Sequence, residues 1–143
     1  MVVVVSACLL GLNTRYDGGN SLNRKLVQML KPFIVVPVCP EQLGGLGTPR
    51  PRSEILNGRV INEFGEDVTE YFKRGAFETL KVVRRVSPDL IILKSRSPSC
   101  GKYHIYDGSF TGKLVRGRGF TCSLLMEEGY VVYNEEEFLQ LFS

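Results

Sequence analysis

Three of the four cysteines stand just past the ends of apolar runs: Cys8 follows Val2 to Val5, Cys39 follows Phe33 to Val38, and Cys100 lies a few residues beyond Leu90 to Leu93. If those runs are parallel strands of one α/β sheet, all three thiols reach the carboxyl rim, where such sheets hold their ligands. They are too far apart in sequence for any local zinc-finger spacing, so only the fold can assemble them. Thiolates are soft donors that suit zinc, Cu(I) and iron–sulfur clusters, and three of them leave one position open on a zinc ion or on a 4Fe-4S cluster. Each cysteine alone is also a small apolar residue at a strand end. Their shared placement after three separate strands points instead to one metal or cluster centre. Cys122, beside Leu124 and Leu125 in a helical stretch, reads as a packed core thiol.

Cys39-Pro40-Glu41 puts a carboxylate two residues from an expected ligand, on a stretch stiffened by Pro40 and Gly44-Gly45. A carboxylate so placed suits general acid or base work, whereas the plain alternative is a solvated loop glutamate. Ser97-Pro98-Ser99-Cys100-Gly101 offers two hydroxyls, turn N–H groups and a thiol, a set that can orient a polar heterocycle or an anionic atom. Either serine could serve. Gly11 to Gly19, which contains Arg15-Tyr16-Asp17-Gly18-Gly19, resembles a phosphate loop by glycine count but matches neither common phosphate-binding pattern. Arg50, Arg52, Lys94, Arg96, Arg116 and Arg118 are candidate anion contacts, although surface arginines are usually just solvated. His104, the only histidine, has no evident partner to make it a base.

The elements that must position these groups follow from periodicity. Val2 to Ser6 is a continuous β-branched run, as expected of a strand covered on both faces. Leu22, Leu26, Met29 and Leu30 recur at helical spacing before Pro32, and Phe33 to Val38 reads as a second strand, completing a βαβ unit. Cys39 to Pro51 reads as a rigid proline- and glycine-rich loop. Asn57-Gly58 predicts a hairpin turn between Ile55-Leu56 and Val60-Ile61. Asp67 with Glu70 has the form of a capping box before a helix whose apolar face runs from Val68 to Val83. Leu90 to Leu93 is a third strand, Tyr103 to Lys113 an extended excursion, and Phe120 to Glu128 a helix capped by Gly129. Tyr130 to Tyr133 is expected as a fourth strand, and Asn134 as the N-cap of a short terminal helix.

The expected fold class is therefore α/β: one domain over residues 1–143, with a Rossmann-like, mostly parallel sheet flanked by helices. At 143 residues and 43% hydrophobic content, the chain can bury a core without disulfide staples. A net charge of +3 is too small to imply a nucleic-acid wrap. Met1 leads into Val2 without a basic segment, and no apolar stretch approaches the roughly 20 residues of a membrane span, so a cytoplasmic, soluble protein with free or metal-bound thiols is expected.

Several segments, in order along nearly the whole chain, resemble one family. They are Val5-Ser6-Ala7-Cys8-Leu9-Leu10-Gly11, Arg15-Tyr16-Asp17-Gly18, Val36-Pro37-Val38-Cys39-Pro40-Glu41, Gly44-Gly45-Leu46, Pro49-Arg50-Pro51, Asp67-Val68-Thr69, Ser97-Pro98-Ser99-Cys100-Gly101 and Tyr106-Asp107-Gly108. The family is that of the thiouracil desulfidases. The resemblance implies a 4Fe-4S cluster held by Cys8, Cys39 and Cys100, with a fourth iron free to accept sulfur from a thiolated pyrimidine in a non-redox C–S cleavage. It implies Glu41 and either Ser97 or Ser99 as catalytic helpers. The chain departs from the usual pattern at Thr14, where many relatives carry a cysteine, and at Cys122, where a small apolar residue is more typical. Neither departure touches the three matched cysteines. The expected partner is a small thiolated heterocycle. Two rival readings remain open: a non-catalytic zinc or iron–sulfur module, and a protein acting on thiolated RNA through its arginines.

Overall fold

Strand β1 (Val2–Ser6) lies between two helical layers, and its alternating side chains feed both. Val3 and Val5 pack with Leu26, Leu30, Ile92 and Phe138 on one face, while Val4 packs with Leu80, Val83, Leu125 and Val132 on the other. A strand buried twice has no use for polar alternation, which is why its sequence is an unbroken run of valines. The computed structural model describes residues 1–143.

The four-stranded sheet has the order β2-β1-β5-β8, with β2 (Ile34–Val38), β5 (Leu90–Leu93) and β8 (Tyr133–Asn134) all parallel to their neighbours. Helix α1 (Arg24–Met29), capped by Asn23, returns the chain to β2 on one side of β1, whereas the next parallel strand, β5, lies on the other side. The carboxyl ends of β1 and β5 thus flank a topological switch point, where open α/β sheets form a crevice. Pro37 sits in edge strand β2, where a missing N–H is tolerated.

The stretch from Cys39 to Pro51, expected to be loop throughout, begins with one helical turn, α2 (Pro40–Leu43). Proline is well suited to the first position of a helix, because the N–H it lacks would have had no partner there. The turn rests directly on the backbone of α3 (Thr69–Val86). A Cβ on Gly44 would fall 2.1 Å from the Tyr71 carbonyl oxygen, and one on Gly75 would fall 2.1 Å from that of Pro40. Only glycine allows this approach, and the approach fixes the turn that carries Glu41.

The hairpin forms as read, with β3 (Ser53–Leu56) and β4 (Arg59–Asn62) joined by Asn57 at φ 52° and Gly58 at φ 75°, the two positive angles of a type I′ turn. The excursion after Cys100 is a second hairpin, β6 (His104–Tyr106) and β7 (Leu114–Arg116). Helices α4 (Phe120–Glu127) and α5 (Glu135–Phe142) close the fold, with Asn134 accepting from the Glu137 N–H at 2.7 Å as its N-cap. The last strand is shorter than expected. The Tyr130 N–H still bonds to Leu125 of α4, so pairing with β5 begins only at Tyr133.

The capping box at Asp67 is not formed. The Asp67 carboxylate accepts from the N–H and hydroxyl of Thr69 and from Arg59, while Glu70 reaches forward to Lys73. The hydrogen bonds from Thr69 and then Arg59 lower the Asp67 pKa to about 2. A depressed carboxylate contributes stability that is present above its unfolded value and lost as pH falls through the folded one. Asp67→Asn keeps an oxygen that accepts from Thr69 without the charge. Its unfolding midpoint is expected to fall less steeply than the parent's between about pH 4 and pH 2; parallel thermal melts across that range check this. No helix is long and apolar enough to cross a membrane.

Candidate functional site

The site is built at the carboxyl ends of β1, β2 and β5. Past Ser6 the chain makes a turn of 3-10 helix, Ala7–Leu10, ended by Gly11, with Leu9 buried beneath and half-buried Cys8 at its start. Cys39 ends the stretch after β2 and lies beside the Thr14 carbonyl, to which its thiol donates at 3.7 Å. Cys100 is 4% exposed, accepts from the Ser6 hydroxyl at 3.5 Å and lies 3.6 Å from the Ser99 oxygen. All three thiols line a single cavity of about 440 Å³, a volume typical of small-ligand sites.

Burial pushes the Cys100 thiol up to about 12 against the lowering hydrogen bonds from Ser6 and Ser99, and the charges of Cys8 and Cys39 push it the same way. Burial also raises Cys8, opposed by Lys94 and reinforced by Cys39. Binding of a metal to these groups as thiolates releases protons. Zinc–sulfur bonds of about 2.3 Å would bring three sulfurs within about 4 Å of one another. No such set of three ligands that could hold one ion is formed. Three soft donors lining one cavity suit a soft metal centre, of which a cubane cluster is one kind.

Beside the thiols runs a chain of hydrogen bonds. Arg50 Nε donates to Glu41 Oε1 at 3.0 Å, Ser99 Oγ donates to Glu41 Oε2 at 3.0 Å, and the Ser97 and Ser99 hydroxyls are 3.0 Å apart. Ser97 Oγ also accepts the N–H groups of Ser99 at 3.1 Å and Cys100 at 2.7 Å. Two accepted bonds occupy both lone pairs of Ser97, and the Ser99 proton faces Glu41. Ser97 therefore donates to Ser99, and the chain has one polarity, Ser97 to Ser99 to Glu41.

The serine loop is held by the start of α4. The free N–H groups of Phe120, Thr121 and Cys122 donate to the Pro98 and Ser99 carbonyls at 2.9 to 3.1 Å, which satisfies donors that a helix start leaves without partners. This contact needs a glycine just before the helix, because a Cβ on Gly119 would lie 2.4 Å from the Ser99 carbonyl carbon. Gly119→Ala must shift backbone, at a cost of about 1–3 kcal/mol. A lower melting temperature together with slower turnover is the expected result, measured on the same preparation.

Glu41, Ser97, Ser99 and the three cysteines thus meet in one place, as does Lys94, though it is spent on buried Glu135 at 2.9 Å. Arg52 and Arg96 also line the cavity; Arg52 lies over the Phe110 ring and Arg96 pairs with Glu136. His104, Arg116 and Arg118 are exposed and stand outside it, the first two on the second hairpin and the third just beyond it, so they are not contacts of this site. Cys122 is fully buried against Met126, in the core as expected. Sequence reading passed over three contributors. Ser6 serves Cys100, Glu135 fixes Lys94 and Ser95, and Glu54 accepts the Gly108 and Phe110 N–H groups and so holds the loop between β6 and β7. A lone serine at a strand end and an acidic residue after an N-cap carry no distinctive pattern.

A parallel α/β sheet with three thiols and a carboxylate–hydroxyl chain at its switch point defines a Rossmann-like protein built to bind a soft centre beside acid–base groups. The 2-thiouracil desulfurase family model matches residues 3–137. The uncharacterized protein YbbK of Bacillus subtilis (strain 168) is 38% identical over 146 residues, covering 95% of this chain and 97% of that protein. The solved structure of the 4Fe-4S-dependent thiouracil desulfidase TudS superposes with a TM-score of 0.89 at 39% identity, covering 97% of this chain and 93% of that one. The chain belongs to the 2-thiouracil desulfurase family.

Proposed function

We propose that this protein is an iron–sulfur-dependent desulfidase that converts a thiolated pyrimidine to its oxo form with release of hydrogen sulfide. The observation that carries the reading is the convergence of Cys8, Cys39 and Cys100 on the cavity that also holds the Glu41–Ser99–Ser97 chain. The likeness to a 4Fe-4S-dependent thiouracil desulfidase supports it. Cys8, Cys39 and Cys100 would hold the cluster, which supplies Lewis-acid iron with one position not taken by protein.

The net change replaces thiocarbonyl sulfur by water oxygen: one water enters, one hydrogen sulfide leaves, and no electrons are gained or lost. Glu41 takes the proton of the entering water at a carboxylate whose two oxygens are already held, one by Arg50 and one by Ser99. Ser99 donates to Glu41 and is itself held by the Ser97 hydroxyl, so the Glu41 carboxylate is aimed to exchange its proton with the cavity. Ser97, with both lone pairs engaged by backbone and its proton on Ser99, fixes the Ser99 hydroxyl in place. A scaffold or cluster carrier would have no use for this chain. The test is anaerobic reconstitution with iron and sulfide, followed by thiouracil. Loss of thiocarbonyl absorbance with equimolar sulfide release supports the reading, and no turnover across a panel of thiolated bases opposes it.

A further inference from the structure

Arg50 has the position of a substrate-binding arginine and the hydrogen bonds of something else. Its side chain is 6% exposed, and Nε donates to Glu41 Oε1 at 3.0 Å. Nη1 donates to the Gly47 carbonyl at 3.2 Å and to Thr48 Oγ1 at 2.8 Å. Nη2 donates to the Thr14 carbonyl at 2.8 Å and lies 4.0 Å from Cys39 Sγ. A guanidinium has five N–H donors, and here all five face groups of this chain, leaving none for a ligand. The backbone N–H of Arg50 adds a sixth tie, to the Tyr16 carbonyl at 2.8 Å.

We propose that Arg50 is a positioning residue: its fork holds the Glu41 carboxylate against Ser99 and joins the Thr14 loop to the turn that carries Cys39. The inference rests on the reading of Glu41 as the proton acceptor and extends it to the group that aims it. With Arg50 on one oxygen and Ser99 on the other, the carboxylate has one orientation in the cavity. Without Arg50, Oε1 has no partner and the side chain is free to turn away from Ser99. Lysine, a compact point charge, cannot reach Glu41, Thr48 and Thr14 at once, so keeping the charge does not keep the function. Because no donor of Arg50 faces the ligand, its loss acts on the rate of the bound complex rather than on binding.

The test uses cluster-loaded parent, Arg50→Gln, Arg50→Lys, Glu41→Gln and the Arg50→Gln/Glu41→Gln double variant, with thiouracil in steady-state and single-turnover assays. Arg50→Gln is expected to lower kcat by about 10²-fold, the scale set by a misplaced catalytic group. KM and iron content should stay near those of the parent. Arg50→Lys should share most of that loss. In the Glu41→Gln background, adding Arg50→Gln should change the rate by less than about 3-fold, since residues acting as a unit are not additive. A general structural role would instead lower the rate in both backgrounds and lower iron content. If Glu41→Gln keeps the parent rate, the reading of Glu41 is wrong and the role of Arg50 falls with it. If Glu41→Gln is impaired but the Arg50 variants keep kcat, raise KM alone, or show additive loss, the Arg50 proposal is overturned and the Glu41 reading stands. Should Arg50→Gln not fold, Arg50→Lys decides by the same kcat and KM comparison.

Discussion

Serine in place of Cys8, Cys39 or Cys100 is expected to abolish desulfuration and to drop bound iron from about four per chain to below about one after anaerobic reconstitution. A cubane held by three protein sulfurs loses a third of its anchorage with any one of them, and a hydroxyl is a hard, weakly acidic donor that does not replace a thiolate. The effect should be equal at all three positions although their surroundings differ. Cys100 is buried under Ser6 and Ser99, whereas Cys8 and Cys39 are half-buried. Cys122→Ala provides the contrast. Its sulfur lies in the core, 3.8 Å from that of Met126, and does not line the cavity, so iron content and turnover should match the parent. Iron and acid-labile sulfide assays beside a thiouracil turnover assay check both halves. Full iron and full rate in any of the three serine variants would remove that cysteine from the ligand set.

Glu41→Gln is expected to lower kcat by about 10²–10⁴-fold, the range for losing a positioned acid or base, while the cluster content stays intact. Glutamine keeps the shape, and its carbonyl oxygen can still accept from Arg50, but its NH2 must donate to Ser99 where the carboxylate accepted, so the capacity to take a proton disappears and the serine bond reverses. KM should change little, because the carboxylate is already engaged on both oxygens by protein groups. Stopped-flow or steady-state loss of thiocarbonyl absorbance, normalised to iron, reads the effect. A glutamine variant with the parent rate would show that the proton travels by another route.

Much of this arrangement was legible in the chain because strand ends are easy to see. Val2 to Val5, Phe33 to Val38 and Leu90 to Leu93 announce buried parallel strands, and in an α/β sheet the residues that follow such strands share one rim. That single rule gathers Cys8, Cys39 and Cys100, and with them Glu41 and the serine loop. The rest depended on packing that local pattern does not encode. The turn α2 forms because Gly44 and Gly75 let two backbones touch, a contact between residues far apart in sequence. Asp67 is not the N-cap of α3: Val68 takes that place without a side-chain cap, because the Asp67 carboxylate is drawn to the N–H and hydroxyl of Thr69. Arg50 looked like an anion contact, and only the positions of Thr14, Gly47, Thr48 and Glu41 reveal that its donors are spent within the chain. The polarity of the serine chain likewise rests on two backbone N–H groups that no spacing announces.

Mössbauer spectroscopy of the anaerobically reconstituted protein, recorded with and without thiouracil, bears hardest on three cysteines holding a cluster that keeps one iron free of protein. The expected spectrum has about four irons per chain, of which about one in four changes on addition of thiouracil. A colourless protein carrying a single zinc, or a cluster in which no iron responds to the substrate, would contradict it.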